Sequence, residues 1–574
     1  MAIEETELLG YACQKFQDEK YDEALEAFVL AFQKGYEKDW VKENIYKCYM
    51  SGNEETFQKT YEENEKIQNI GIKYEDCKLD FIPYKDGQYF IFDKEADCFW
   101  GVFSMAEIED AEEDKALQES EFSSVAVALE WNWNKERTLL QAAGTRRIYA
   151  VCHDIKRCVS FWKIPELKGY VENICLFPDQ HQFQMYFHKN TDIYLPKLVY
   201  GRNAGEQDEL VEILNQEHQY RLTPEGRNTE NVLLTIGIPT HARGNLLLKR
   251  LENLRKLPLD SEIEFAISKN GIQLYQEEYK KASEIRDARI NYYDHECELS
   301  PEENWCHVME MAHGKYVLLV SDEDDIVLGN VEHYLKLLES NPEVNLVRAS
   351  GAVFYTDIKE PKYKKGGLDA FGAVFLRQNY LSGLIIRRKD FLKKHFEQLK
   401  QFRNNEYYHR YPHDWWCSML SMEGDYLEDP VCLISENESV MGEEVSEYKK
   451  LGILPEGDGF AEETTLPKYA TYNERLKQFR GQIDFLHWLM QDNLEGCEKG
   501  LIGAIGKVSL LLELAYEQNY DCDNFSNVVD EFVLLSMEAI DEFTFREKQK
   551  LVLLNWVTEC AVHLLELNNK RDVF

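Results

Sequence analysis

The sequence lacks any apolar segment close to the roughly 20 residues that a membrane-spanning helix needs, so we expect no transmembrane segment. Its first residues, Met-Ala-Ile-Glu-Glu-Thr-Glu, do not have the basic and apolar regions of a signal peptide. The 14 cysteines are scattered without a Cys-x-x-Cys pair, and Cys152 and Cys158 come nearest to a cluster. We interpret these two as ordinary buried thiols and expect a reduced, cytoplasmic protein.

Positive charge is scarce. The 65 lysines and arginines are outnumbered by 104 aspartates and glutamates, which gives a formal charge of −39. Nucleic acids and anionic lipids are normally bound by basic patches, so we expect neither as a partner.

A chain of 574 residues is too long to fold around a single hydrophobic core, and about three or four domains are expected.

The residue pattern changes along the chain and predicts four segments. Residues 1–69 are predicted to be helical, and short aromatic or β-branched runs in 70–228 predict a small α/β or mainly β accessory domain. Residues 229–445 alternate strand and helix patterns, which predicts a parallel sheet. Residues 465–574 carry apolar residues at helical spacing and predict a helical bundle. The polar stretch 210–228 predicts a linker.

The terminal helical segments are candidate surfaces for a protein partner or a homo-oligomer. The run from Tyr21 to Phe32 looks like the second helix of a tetratricopeptide repeat, with Ala24 and Ala31 as its small residues. Only one or two such repeats are visible, whereas about three are usually needed for an independent solenoid. A plain helical hairpin and a partner-binding repeat therefore both stay open.

The run 317–320 is short, apolar and rich in valine, which favours a strand buried on both faces. It is followed by Asp322, Glu323, Asp324 and Asp325. Carboxylates gathered there would repel one another, and a divalent cation such as Mn²⁺ or Mg²⁺ removes that cost because it prefers oxygen ligands. Ligands of open α/β sheets bind outside the carboxyl ends of the strands. The alternative is a solvated acidic loop after an ordinary core strand.

Two further strand patterns precede the acidic run. Residues 232–240 read Val-Leu-Leu-Thr-Ile-Gly-Ile-Pro-Thr and are followed by a helical pattern over 245–257. Residues 263–267 predict the next strand, which ends in Ser-Lys-Asn-Gly, and a helical pattern over 302–313 leads into the acidic strand. Strands that alternate with helices in this way predict βαβ units.

An ordered set of motifs in this region resembles the family 2 glycosyltransferases. The set is Thr-Ile-Gly-Ile-Pro-Thr-x-x-Arg, then Ser-Lys-Asn-Gly, then Asn304 with a helix ending in Ala-x-Gly-Lys-Tyr, then Ser-Asp-Glu-Asp-Asp. It covers about residues 231–440. The resemblance implies an α/β domain of the GT-A fold, the nucleotide-diphospho-sugar transferase fold, with a mainly parallel sheet. It also implies an inverting enzyme that uses a nucleotide-sugar, most simply a UDP-sugar.

The resemblance also implies roles for residues that would bind the donor. Pro239, Thr240 and Arg243 would border the nucleotide, with the guanidinium group offered to a phosphate. Ser268 and Asn270 would meet the edge of the base. Family members usually have an acidic residue in that turn, where this chain has a lysine at position 269, and this leaves the base undetermined. Asn270 with its following glycine is alternatively a simple turn.

Further implied roles concern the metal and the sugar. Asp322 would contact the ribose, and Asp324 would hold Mn²⁺ or Mg²⁺ with Asp322 or Asp325 as additional ligands. Asn304 would lie close to the donor pocket, or alternatively cap its helix. The segment that contains Ser382 and Gly383 resembles the part of the family that flanks the sugar, because a glycine allows close approach of a ring to the backbone.

Inverting transfer needs one base that removes the proton of the acceptor hydroxyl group. The family places an acidic residue for this purpose at the start of a later helix, and Asp414 in the sequence His-Asp-Trp-Trp fits that position. Alternatively Asp414 is the N-cap of a helix over 415–422, and both roles are compatible. His413 is a weaker candidate for supporting the base or reaching the metal. Core packing is favoured for Trp415 and Trp416.

The sequence therefore predicts a metal-dependent inverting glycosyltransferase that moves a sugar from a nucleotide-sugar to a glycan, lipid-linked or protein acceptor. Two alternatives stay open. One is a catalytically degenerate domain that serves as a scaffold and binds partners through its helical segments. The other is a carbohydrate hydrolase with paired carboxylates, which gives no reason for the nucleotide-type turns.

Overall fold

The computed structural model describes residues 2–110, 124–129, 141, 143, 144, 146–200, 204–271, 274–378, 380–436, 467–491, 493–518 and 520–571. The chain divides into two compact units, Met1–Arg221 and Leu222–Phe574. Each unit has its own hydrophobic core. The boundaries of the four predicted segments remain predictions.

The first unit begins with helices that pack side by side, and then continues into β-structure. These helices are Ala2–Gln17, Tyr21–Gln33, Lys38–Ile45 and Glu54–Gln68, with a π-helical turn at Tyr46–Met50. The helix Tyr21–Gln33 buries Leu25, Phe28 and Phe32 on one face, which accounts for its amphipathic sequence pattern. Its likeness to a tetratricopeptide repeat remains a prediction.

Two sheets follow in the first unit. An antiparallel sheet is formed by β1 (Leu79–Pro83), β2 (Gln88–Asp93) and β3 (Cys98–Ser104). A parallel sheet in the order β6-β5-β4-β7 is formed by β4 (Ser124–Leu129), β5 (Arg147–Cys152), β6 (Ile174–Phe177) and β7 (Leu198–Tyr200). The helices that the structure describes between and after these strands are Met105–Glu109, Ile155–Cys158, Lys168–Val171, Gln180–Lys189 and Ala204–Arg221. The segment is an α/β arrangement.

The predicted linker at 210–228 is wrong over most of its length, because the helix Ala204–Arg221 occupies it. Leu210, Leu214 and Arg221 recur on one buried face of that helix at steps of about one and two turns. Arg221 donates from Nη1 to the carbonyl of Ile193 at 2.7 Å and from Nη2 to the carbonyl of Phe187 at 3.0 Å. The many charged residues of the segment concealed this short apolar periodicity.

The interpretation of Cys152 and Cys158 as separate thiols is also wrong. The two residues form a disulfide across a separation of six residues. Cys152 is the last residue of β5, and Cys158 is the last residue of the short helix Ile155–Cys158, which turns back toward that strand end. Both side chains are buried.

The second unit is built on a nine-stranded sheet. Its strands are β8 (Leu234–Thr240), β9 (Ile263–Lys269), β10 (Ile290–Asp294), β11 (Tyr316–Leu319), β12 (Asp325–Ile326), β13 (Val344–Gly351), β14 (Lys362–Lys364), β15 (Leu384–Arg387) and β16 (Asp425–Ser435). Their order is β10-β9-β8-β11-β15-β13-β16-β12, with β14 also paired to β16. β8, β9, β10, β11, β13 and β16 run in one direction, while β12, β14 and β15 oppose them.

The central strands are buried along their whole length, as expected for a sheet covered on both faces. The helix Pro301–Met311 lies so close to the sheet that a Cβ atom at Gly237 in β8 would stand 2.3 Å from Cγ1 of Val308. Glycine at this position therefore permits the close helix–sheet contact. Helices of the sheet region are Gly244–Leu254, Gln276–Ser283, Pro301–Met311, Val331–Ser340, Leu368–Val374, Arg388–Leu399, Glu406–Arg410 and Pro412–Glu423.

A helical bundle completes the second unit, with helices Tyr472–Met490, Leu494–Glu517, Phe525–Glu542 and Glu547–Arg571. The bundle shares one hydrophobic core with the sheet region. At this junction the indole of Trp415 stacks on the ring of Phe485, with 4.1 Å between ring centres and an interplanar angle of 8°. Trp415 and Trp416 are both fully buried, so the expectation that they pack the core is correct.

The predicted fold class is confirmed: an α/β domain with a mainly parallel sheet is preceded by helical and α/β segments and followed by a helical bundle. Within the ranges that the structure describes, every helix is too short or too polar to span a lipid bilayer.

Candidate functional site

The carboxyl ends of β8, β9 and β11 meet at one edge of the sheet, because the three strands are parallel neighbours. Thr240 is paired in register with Lys269, and Pro239 with Ser268. The backbone N–H of Asn270 donates to the carbonyl of Thr240 at 2.9 Å, which extends the pairing beyond the strands. The turns after these strands therefore place the predicted donor-binding residues side by side.

Arg243 joins the first of these turns to the acidic turn. Its Nη1 lies 2.8 Å from Oδ1 of Asp322 and 3.1 Å from Oε2 of Glu323. The backbone N–H of His241 also donates to Oδ2 of Asp322 at 3.3 Å. Asp322 is buried, so these contacts supply the charge compensation that a buried carboxylate requires.

Tyr279 holds the turn that carries Arg243, although the sequence analysis did not single it out. Its hydroxyl oxygen accepts a hydrogen bond from the backbone N–H of Arg243 at 2.9 Å and lies 2.8 Å from Oγ1 of Thr240. Burial raises the pKa of the Tyr279 hydroxyl group. Its place on the buried face of the helix Gln276–Ser283 is the sequence signal that was available.

Asp324 is fully buried and receives two hydroxyl groups from a distant segment of the chain. The hydroxyl of Tyr380 donates to Oδ2 of Asp324 at 2.6 Å, and that of Ser382 donates to the same atom at 2.5 Å. Oγ of Ser382 in turn accepts from the backbone N–H of Ser321 at 2.8 Å. Burial, followed by the contact with Asp324, raises the pKa of Tyr380. Tyr380 is thus a residue of the candidate site to which the sequence assigned no role of its own, although its segment was singled out.

Gly383 allows this segment to turn into β15. Its φ is +84°, in the left-handed region that favours glycine, and a Cβ atom there would lie 3.1 Å from Cγ1 of Ile434. The backbone N–H of Gly383 donates to the carbonyl of Leu319 at 3.2 Å, and its carbonyl accepts from the N–H of Ala349 at 3.0 Å. Gly383 therefore ties the segment to both neighbouring strands.

The three predicted metal ligands have different partners. Asp325 accepts from Nη1 of Arg250 at 2.6 Å, whereas Asp322 contacts Arg243 and Asp324 contacts the two hydroxyl groups. Nη2 of Arg250 also donates to the backbone carbonyl of Asp322 at 3.2 Å. Among the residues that the structure describes, no group of three or more His, Cys, Asp or Glu side chains is placed to share a metal ion.

Ser268 and Asn304 are brought together with two histidines that the sequence analysis did not identify. Oγ of Ser268 donates to Oδ1 of Asn304 at 2.6 Å and lies 3.0 Å from both Nε2 of His295 and Nδ1 of His307. The two imidazole nitrogens are 3.2 Å apart. Burial lowers the pKa of each imidazole, and the neighbouring His307 lowers that of His295 further. His307 lies one helical turn after Asn304, which was the available signal.

Asn270 uses its side chain to hold a loop. Nδ2 donates to the carbonyl of Leu299 at 2.8 Å, and Oδ1 accepts from the N–H of Leu299 at 2.6 Å. Its neighbour Lys269 pairs with Oδ1 of Asp294 at 2.7 Å. A carboxylate is therefore present beside this turn, but it comes from the end of β10.

Asn304 does not cap its helix, because Ser300 forms the capping box with Glu303.

Asp414 lies in the helix Pro412–Glu423 and is fully buried. Its Oδ1 accepts from the backbone N–H of Gln378 at 3.0 Å, and its Oδ2 accepts from the hydroxyl of Tyr407. Burial raises the pKa of Asp414, while the positive charge of Lys507 opposes the rise. The alternative that Asp414 caps the helix is wrong, because the helix begins at Pro412.

His413 is enclosed beside Asp414, with its ring centre 5.5 Å from that of Trp305. It is 3% exposed, and within the described residues its ring nitrogens make no hydrogen bond of normal geometry. Burial, with a further contribution from the charge of Arg348, lowers the pKa of His413 to about 3. The imidazole is therefore neutral at physiological pH.

Comparisons with known proteins give only distant likenesses. No family model and no curated protein matches the sequence. Among solved structures, S. aureus TarS 1-349 in complex with UDP-GlcNAc is 10% identical with a TM-score of 0.37, over 59% of this chain and 91% of that chain. The mannosyltransferase PcManGT from Pyrobaculum calidifontis, in complex with GDP-Man and Mn2+, is 12% identical with a TM-score of 0.32, over 58% and 86%. At TM-scores this low, neither likeness supports an argument about this chain.

The buried His413 predicts a specific loss of stability in acid. Its pKa in the folded state is about 3, below the ordinary value of 6.5, so the unfolded state binds the proton first as the pH falls. The contribution of the neutral His413 side chain to the free energy of unfolding is fully present when the pH is above the ordinary histidine pKa. It is lost as the pH falls below that pKa, by about 2 kcal/mol between about pH 7 and about pH 5. We expect urea unfolding of His413→Gln to lack this component when it is compared with the wild type at both pH values. An equal pH dependence of the two proteins would contradict the buried, neutral imidazole.

Proposed function

We propose that this chain is a metal-dependent inverting glycosyltransferase of the family 2 type, which moves a sugar from a nucleotide-sugar to a glycan, lipid-linked or protein acceptor. The observation that carries the proposal is the convergence of Arg243, Ser268, Asp322 and Asp324 at the carboxyl edge of β8, β9 and β11. Nucleotides bind at this edge in open α/β sheets. The order of the sequence motifs supports the same activity, with a UDP-sugar as the expected donor.

Arg243 is the proposed contact for the diphosphate of the donor. Its guanidinium group now neutralises Asp322 and Glu323, and the planar fork of donors suits phosphate oxygens equally well. Binding of a diphosphate would therefore require Arg243 to exchange carboxylate partners for phosphate. Thr240 and Asn270 have their polar groups engaged within the protein, so their proposed role is to shape the nucleotide site.

The acidic turn fits a hard divalent cation by its chemistry, since Asp322, Asp324 and Asp325 offer carboxylate oxygens. A Mg²⁺-type site commonly uses one or two carboxylates and completes its shell with substrate phosphates and water. We propose Asp324 as the principal ligand, with Asp322 or Asp325 as the second. When bound, such an ion neutralises charge on the departing nucleoside diphosphate.

Asp414 is the proposed base, and its environment sets a condition on that role. Both carboxylate oxygens are hydrogen-bonded, to Gln378 and Tyr407, and the group is fully buried. To accept a proton from an acceptor hydroxyl group, Asp414 must exchange one of these bonds for that hydroxyl. Its raised pKa favours proton uptake at the moment of transfer.

One observation favours an alternative function, in which the chain is a scaffold without catalytic activity. Each proposed catalytic carboxylate already has a partner inside the protein: Asp322 and Asp325 have arginines, Asp324 has two hydroxyl groups, and Asp414 has Tyr407. An inactive descendant of a transferase would be stabilised in the same way. Binding of nucleotide-sugars together with Mn²⁺ is expected only of the enzyme.

Removal of the proposed principal metal ligand gives the first test of activity. We expect the wild type with Mn²⁺ to hydrolyse at least one donor in a panel of nucleotide-sugars, with water as the acceptor. Asp324→Ala should slow that hydrolysis by at least about 100-fold, because the charge on the leaving group is no longer neutralised. Asp369→Ala, which removes an exposed carboxylate from the same unit, serves as the control and should match the wild type. Equal rates for Asp324→Ala and the wild type would contradict the metal role.

Replacement of the proposed base separates chemistry from donor binding. Asp414→Asn should bind the same nucleotide-sugar within about twofold of the wild-type Kd, measured by titration calorimetry, because Asp414 contacts Gln378 and Tyr407 and is not among the residues proposed to contact the donor. Hydrolysis of that donor should fall about 100-fold or more, since no base then receives the proton. A near wild-type rate would show that Asp414 is not the base. A large drop in the unfolding temperature with loss of donor binding would identify a structural residue instead.

A further inference from the structure

The proposed base and the proposed metal ligand are connected by one short stretch of chain. Residues 376–378 and 380–382 are called here the link segment. Within it the backbone N–H of Gln378 donates to Asp414, and toward its end the hydroxyl groups of Tyr380 and Ser382 donate to Asp324. A shift of the link segment would therefore disturb both aspartates at once.

Arg348 anchors the link segment from within the sheet. Nε of Arg348 donates to Oε1 of Gln378 at 2.7 Å, Nη1 donates to the carbonyl of Ser382 at 2.9 Å, and Nη2 donates to the carbonyl of Tyr380 at 2.9 Å. Arg348 is fully buried in β13. These contacts hold residues 378, 380 and 382 but leave the first residue of the segment to another anchor.

That other anchor comes from the helical bundle. Nζ of Lys507, in the helix Leu494–Glu517, donates to the carbonyl of Leu376 at 3.1 Å. Leu376 has a φ of +59°, a conformation that a leucine adopts only when its surroundings hold it there. Its neighbour Phe375 stacks on Phe371 with 4.8 Å between ring centres, so the start of the segment is packed as well as hydrogen-bonded.

We propose that Lys507 is a positioning residue: its ammonium group fixes the Leu376 carbonyl and thereby sets the link segment that holds Asp414 and Asp324. The roles of the two aspartates in transfer rest on the proposed function, but the contact itself does not. The helical bundle thus contributes a residue that positions the candidate site, in addition to packing against the sheet region.

The charge of Lys507 acts in the same place. Burial lowers the pKa of its ammonium group to about 8, and the negative charge of Asp414 opposes that fall, so the group stays protonated at neutral pH. Conversely, the Lys507 charge counters the rise in the pKa of Asp414 that burial causes. The other groups that act on Asp414 are the Tyr407 hydroxyl, the Gln378 backbone N–H and the Arg348 guanidinium. The Arg475 guanidinium lowers the pKa of Lys507.

Amide hydrogen exchange tests the positioning directly and needs no substrate. In the full-length Lys507→Met variant, the peptide that contains the link segment should exchange about tenfold faster than in the wild type, because its first anchor is lost. Lys507→Arg, which keeps a cationic donor, should stay close to the wild type. Lys499→Met removes an exposed lysine from the same helix and should change nothing in that peptide. The peptide that contains β8 should be equally protected in all four proteins, which shows that the fold is intact.

Kinetics with a nucleotide-sugar that the wild type hydrolyses provide the second readout. Lys507→Met should lower kcat about tenfold, because the link segment that holds Asp414 and Asp324 is then no longer fixed at Leu376. The acid limb of its pH–rate profile should move to higher pH, because Asp414 loses a nearby positive charge. Lys507→Arg should restore both properties.

The outcomes separate the inference from the proposed function. If no nucleotide-sugar is hydrolysed and yet Lys507→Met loosens the link segment, the proposed function fails and the positioning inference stands. If hydrolysis occurs and Lys507→Met equals the wild type in exchange and in kcat, the inference is overturned and the proposed function stands. A third outcome would also overturn the inference. In it, Lys507→Met loses exchange protection in β8 as well as in the link segment, and Lys507→Arg does not restore that protection. Lys507 would then stabilise the whole fold and would not position the link segment specifically.

Discussion

Parallel pairing of β8 with β9 and β11 is the constraint on which the site depends. Parallel neighbours end at the same sheet edge, so turns far apart in the sequence arrive together there. The chain accordingly brings Arg243 to Asp322 across 79 residues and Ser268 to Asn304 across 36. Strand β15 pairs with β11 in the opposite direction, so the residues just before β15 lie at the same edge. Among them, Tyr380 and Ser382 donate their hydroxyl groups to Asp324. Strand direction thus brings the residues of the candidate donor site to the same edge of the sheet.

Burial of so many carboxylates in a chain of charge −39 requires local compensation. The protein supplies it from a different source at each position: Arg243 for Asp322, two hydroxyl groups for Asp324, and the Tyr407 hydroxyl, the Gln378 N–H and the charge of Lys507 for Asp414. These partners stabilise the protein without a ligand. Under the proposed function, a nucleotide and a cation would displace these partners, so donor binding would be coupled to rearrangement of the acidic turn.

The sequence was sufficient to predict the structure where the local residue pattern determines it. The apolar runs predicted β8, β9 and β11, and the acidic residues after β11 did lie at a sheet edge. It was insufficient where a side chain comes from elsewhere: Tyr279 and Lys507 lie in segments whose local patterns are those of ordinary helices, and only the folded chain brings them to their contacts. Tyr380 lies in the segment that the motifs associated with the sugar, but its contact with Asp324 is visible only in the folded chain. A local pattern also misled at 210–228, where frequent charges hid a helix with a narrow buried face.

A crystal of this protein soaked with UDP and Mn²⁺ tests the central claim most directly. The account predicts a diphosphate beside Arg243, with its guanidinium group moved from Asp322 to phosphate oxygens, and a cation on the carboxylate of Asp324. An empty sheet edge at saturating UDP and Mn²⁺, with Arg243 still on Asp322 and the Tyr380 and Ser382 hydroxyl groups still on Asp324, would contradict it.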